Sequence, residues 1–148
     1  MLDRSFNAAV LAIASKLLPR GFDVRDDAPS SYEELRQHHN ATGRIAVWSG
    51  ASDRTIFGDR DINYAFRAWH DARHILGSFD FSFAGECRTC FAQTQDIETL
   101  YRGHDRLPFW RALLRAEVIG QASYAHSWGA FPADHRDFVA CYLRSPSL

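Results

Sequence analysis

The chain has 148 residues, 46% of them hydrophobic and 14% aromatic, enough to build one core in a single domain spanning residues 1–148. Seventeen Lys and Arg against eighteen Asp and Glu leave a formal charge of −1. No general positive field therefore drives sequence-blind binding to nucleic acid or to an anionic membrane. All but one of the basic residues, Lys16, are arginine; a GC-rich coding sequence explains that bias more simply than selection for the guanidinium's planar fork.

Three cysteines cannot all pair within the chain, and Cys87-x-x-Cys90 has no second pair to complete a four-thiolate zinc site. That usage fits a reducing compartment. The longest apolar run, residues 8–14, is too short to cross a bilayer, and the opening Met-Leu-Asp-Arg lacks the parts of a secretory signal. A cytoplasmic protein is expected.

Phe6, Val10, Leu11, Ile13, Leu17 and Leu18 form a helical stripe over residues 5–18, stopped by Pro19 and Gly21. A polar stretch, residues 23–29, follows. Ser30 or Ser31 then caps a short helix reaching about His39, with Glu33 and Glu34 in its first turn. Residues 44–49 read as a strand between Gly43 and Gly50, with residues 55–57 as its hairpin partner. From a cap at Asp61, the apolar face of Ile62, Ala65, Phe66, Trp69 and Leu76 predicts a central helix ended by Gly77. Phe79, Phe81 and Phe83 alternate in a connection expected to lay their rings on the core. Helices over about 85–101, from Pro108 to about Trp128, and over 134–143 complete the chain. The fold class is mainly α: a single-domain bundle of five to six helices with a minor two-stranded β element.

The chemistry concentrates on the central helix. His70 and His74 are four residues apart, so their rings share one face, offset by roughly 40° and one turn. Two imidazole nitrogens at that spacing can meet on one metal at about 2.0–2.1 Å each. A third ligand is needed. Glu117, set among Leu113, Leu114, Val118 and Ile119, is the first candidate, because a carboxylate in apolar surroundings must be paired, protonated or bound to a cation. Gln121, one turn on, is placed to orient it, and Glu86 is a second carboxylate candidate. The expected cofactor is a divalent metal, zinc first, with manganese or iron as alternatives. In hydrolysis such an ion turns a bound water into hydroxide near neutral pH. Asp71 or Glu86 would accept the proton, and Arg67 or Arg73 would stabilise an anionic transition state, which suits a nucleotide or phosphoester substrate. The same residues also describe a structural polar core, with Arg67 and Asp71 as an i,i+4 pair and Glu117 neutralising Arg67 or Arg73.

His70-Asp71-Ala72-Arg73-His74 resembles the H-E-x-x-H motif of zincin peptidases, with aspartate in place of the glutamate base. Glu117-x-x-x-Gln121 resembles the third-ligand helix of their gluzincin branch. Aspartate is one methylene shorter, so its reach to an activated water is reduced. His70-Asp71 is also similar to the paired residues of HD-domain phosphohydrolases, which are helical. That resemblance implies further metal ligands at His38 or His39 and at Asp134 or Asp137. The wider stretch Phe66-Arg-Ala-Trp-His-Asp-x-x-His74, with Phe83-Ala-Gly-Glu86 and Glu117-Val-Ile-Gly-Gln121, resembles small proteins of bacteriophages and mobile elements. It implies a competing role, a non-enzymatic accessory factor that binds and inhibits a host protein complex, with the histidine cluster purely structural. Trp110, Tyr124, Trp128 and Phe131 are read as core or an interface patch rather than a base-stacking platform. Cys87-x-x-Cys90, in a predicted helix, is expected to pack or to bind metal weakly rather than to do redox chemistry.

Overall fold

A computed structural model describes residues 3–144. It is mainly helical with a small parallel sheet. In chain order the elements are α1 (Arg4–Leu17), β1 (Asp23–Arg25), α2 (Tyr32–Thr42), β2 (Ala46–Trp48), α3 (Arg60–Gly77), α4 (Phe83–Leu100), α5 (Leu107–Arg115), a π-helical turn (Ala116–Gly120), α6 (Gln121–Trp128) and α7 (His135–Arg144). The segments from α5 to α6 follow without a break and form one rod, so the described residues make a bundle of six helical bodies.

Side-chain caps start the helices where backbone N–H groups would otherwise lack acceptors. Asp3 Oδ1 accepts from Phe6 N at 2.9 Å, Ser31 Oγ from Glu34 N at 3.2 Å, and Ser82 Oγ from Gly85 N at 3.1 Å. The cap of α3 is Asp59, not Asp61: its Oδ1 accepts from Asp61 N at 2.8 Å and Ile62 N at 3.3 Å. Gly77 is the last residue of α3, but it is not the left-handed cap. Ser78 takes the left-handed conformation there, with φ 52°, and its N–H bonds Ile75 O.

The β element differs from the expected hairpin. β2 pairs in parallel with β1, in the register Asp23↔Ala46, Val24↔Val47 and Arg25↔Trp48, and α2 supplies the crossover that parallel strands require. Residues 55–57 are buried in a turn instead. Asn7 Nδ2 donates to Phe57 O, and the Phe57 ring packs on Phe6 and Phe66, so core packing takes this segment out of the sheet.

The main core gathers Phe6, Val10, Phe66, Trp69, Trp110 and Leu113, with α1 lying along α3. Leu35, Ile45, Val47, Ala68 and Ala72 form a smaller cluster on the adjoining face of α3. Phe81 and Phe83 do not reach the core; they are 38% and 46% exposed, because Phe83 already belongs to the first turn of α4. At the π turn, Gly120 permits the close approach of α7: a Cβ there would stand 3.0 Å from the Tyr142 ring. Among the described residues no helix is long and apolar enough to cross a membrane.

Candidate metal centre

α3 and α4 are joined by a short connection and run against each other through a row of polar pairs. Glu86, Thr89, Gln93 and Asp96 recur on α4 at intervals of three, four and three residues, so they share one helical face. Opposite them stand His74, His70, Arg73 and Trp69 of α3.

His70 Nε2 lies 3.0 Å from His74 Nε2 and 3.2 Å from Glu86 Oε2, and His74 Nε2 lies 3.5 Å from Glu86 Oε1. Ligands held 2.0–2.1 Å from one tetrahedral ion lie about 3.3 Å apart, so the three donors already have the spacing of a metal face. Among the described residues they are one group of such donors, with all three ligand atoms within 4.8 Å of one another. Their connection to solvent is graded: the His74 side chain is 0% exposed, while His70 and Glu86 are each 18% exposed.

The far sides of both rings are occupied. His74 Nδ1 is 2.9 Å from Phe79 O and 3.2 Å from Thr89 Oγ1. A carbonyl only accepts, so the Nδ1 carries a proton and the Nε2 faces the group. Phe79 N–H also donates to His74 O at 3.0 Å, which ties that carbonyl to the end of α3. His70 Nδ1 lies 3.1 Å from Gln93 Oε1. With both Nδ1 atoms protonated, two lone pairs and a carboxylate face one another. That arrangement requires a cation, either a proton or a metal ion.

The electrostatics agree. Burial alone would lower the His70 imidazole, but the hydrogen bond and charge of Glu86 raise it well above its ordinary value. Burial likewise pushes the Glu86 carboxyl up, and the two imidazoles more than reverse it, holding it well below the usual carboxylate range. Asp71 is raised to about 6 by burial, against the pull of His70 and His74.

The other sequence candidates lie elsewhere. Glu117 does not join the group. It sits on the π turn, where Oε2 accepts from Gln121 Nε2 at 2.6 Å and Oε1 is buried without a partner. Burial lifts its carboxyl to about 8, against the Gln121 hydrogen bond and the Arg67 charge. Arg67 spends its fork on the loop after β2, donating to Trp48 O, Gly50 O and Ala51 O at 2.8, 2.7 and 3.0 Å. Arg73 pairs with Asp96, which also accepts from Trp69 Nε1 at 2.8 Å. Both guanidinium groups are therefore committed to holding the fold. His38 and His39 remain on α2, and Asp134 caps α7 at Asp137 N and pairs with Arg54. The four positions implied by the HD-domain resemblance thus stay outside the group. Cys87 and Cys90 lie within α4 as free thiols, and burial pushes Cys90 up to about 12.

Thr89, Gln93 and Asp96 were not singled out from the sequence. Their signal was the polar stripe at helical spacing, which identifies a helix face turned to polar partners rather than to an apolar core. No family model matches the chain, and neither the curated proteins nor the solved structures yield a match.

Proposed function

We propose that this protein binds one divalent metal ion, zinc first among the alternatives, through His70 Nε2, His74 Nε2 and Glu86, and that it is a metal-dependent hydrolase. The observation that carries the proposal is the convergence of three lone-pair donors with both imidazole Nδ1 atoms tied down behind them. Two histidines and one carboxylate are a ligand set of catalytic zinc and of non-haem iron sites, which keep open positions for water or substrate. A bound ion would supply Lewis acidity and a water ionising near neutral pH. Glu86, considered from the sequence mainly as a proton acceptor, is placed to be a ligand, which leaves Asp71 as the base. It follows His70 directly on α3, the position the base occupies in the H-E-x-x-H pattern.

A nucleotide or phosphoester substrate drew its support from a free Arg67 or Arg73, and neither fork is free. Hydrolysis is therefore tested on both a phosphodiester and a peptide probe. A second reading, a non-enzymatic protein that binds a host protein complex, is favoured by Trp128 and Phe131, 74% and 64% exposed at the end of α6.

Elemental analysis of protein purified without chelator separates the two. About one zinc, manganese or iron per chain, lost in His70→Ala, His74→Ala and Glu86→Gln, supports the metal reading. Turnover of bis(p-nitrophenyl) phosphate or of a quenched fluorescent peptide, lost in Asp71→Asn with metal retained, supports the hydrolase. A metal-free protein whose stability is indifferent to chelator overturns the metal and hydrolase readings and supports the second.

A further inference from the structure

Gln93 is wholly buried, with 0% of its surface exposed, at the interface of α3 and α4. Its Oε1 faces His70 Nδ1 at 3.1 Å, while its Nε2 is buried with no partner. A buried amide N–H without an acceptor destabilises a fold, and an apolar residue at this position would avoid that cost. The amide is therefore poorly explained as a stabilising element. What it does supply is an acceptor behind one imidazole, as Phe79 O does behind the other.

We infer that Gln93 is a positioning residue for the metal centre: its Oε1 accepts the His70 Nδ1 proton, fixes the ring's rotation and presents Nε2 as the ligand atom. The inference rests on the proposed metal site. Without the acceptor, the His70 ring can rotate or carry its proton on Nε2, where it cannot bind an ion. Phe79 O performs the same task for His74 and, being backbone, is insensitive to side-chain substitution. Gln93 is thus the acceptor that mutation can remove. Partners of this kind behind metal-bound histidines typically change metal affinity about ten- to a hundredfold when lost.

The test compares the full chain with Gln93→Leu and Gln93→Glu, using zinc alone in a chelator-buffered titration, with urea denaturation of the metal-free forms alongside. Leucine removes both the acceptor and the orphaned N–H. Leucine also strips the His70 Nδ1–H of its acceptor, so metal-free stability is expected to change little while zinc affinity falls about ten- to a hundredfold, a combination that a merely structural glutamine does not produce. Glutamate restores an acceptor at the same reach, and affinity is expected to return to within about threefold of the parent or better. Nitrogen-15 spectra of the imidazoles supply a further readout: His70 carries its proton on Nδ1 in the metal-free parent at high pH and loses that preference in Gln93→Leu. Parent-like affinity in Gln93→Leu, or affinity in Gln93→Glu as weak as in Gln93→Leu, overturns the inference and leaves the metal site standing. If the parent itself takes no zinc, and His70→Ala changes nothing, the metal reading has failed.

Discussion

Replacing Glu117 with glutamine should stabilise the protein, by an amount that grows with pH. The Glu117 side chain is buried on the π turn, and burial raises its carboxyl from an ordinary value of 4.5 to about 8. A raised folded-state value means that the native state keeps a proton which the unfolded chain gives up. Stability from that proton is complete below about pH 4.5 and is lost progressively as the pH rises towards 8. Each pH unit in that window costs about 1.4 kcal/mol, so about 3 kcal/mol is lost between pH 5 and pH 7. Glutamine matches the protonated carboxyl in shape, keeps an acceptor for Gln121 Nε2 and does not titrate. Urea denaturation of parent and Glu117→Gln at pH 5, 6 and 7 isolates this effect, because every other titrating group is common to both proteins. The stability difference should be near zero at pH 5 and should widen by about 3 kcal/mol by pH 7, in favour of glutamine. A difference that does not change with pH, or a variant less stable than the parent at pH 7, would refute the reasoning. It would mean that Glu117 is ionised and held by Arg67 or a cation.

Under the proposed metal reading zinc would displace the proton shared between His70 and Glu86, so affinity should rise about tenfold per pH unit from pH 6 to 8. Calorimetry in buffers of different ionisation enthalpy should find about one proton released per ion; none released would contradict the proposed charge state. Ser78 holds φ 52° at the end of α3, a conformation glycine adopts without strain, so Ser78→Gly should add up to about 1 kcal/mol in urea denaturation. A loss of stability would mean that the Ser78 side chain contributes more than its backbone strain costs.

Much of the helical order was legible because its causes are local. The stripe from Phe6 to Leu18, the cap at Ser31 and Pro108 near the start of α5 each act within a turn or two of the chain. Small errors fell where two local signals competed. Asp59 and Asp61 are both good caps, and Asp59 prevails because its side chain reaches two N–H groups. The strand at β2 was readable from its β-branched and aromatic residues, but its partner was not. Residues 55–57 look more strand-like than residues 23–25, which read as part of a polar stretch yet supply β1; core packing around Phe57 decides against the apolar segment.

The candidate metal centre divides along the same line. Helical periodicity alone brings His70 and His74 to one face, and their Nε2 atoms do meet at 3.0 Å. Spacing along one helix says nothing about which acid stands opposite, because that depends on the register of α3 against α4. The turn between them sets the register: Gly85 lies so close to Asp80 O that a Cβ there would stand 1.8 Å away, and this contact brings Glu86 back over His74. Glu117, though correctly read as a buried acid, sits on another rod with Gln121 for company. What the chain settles by itself is therefore whatever a single helical turn controls; the identity of the third donor required two helices to meet.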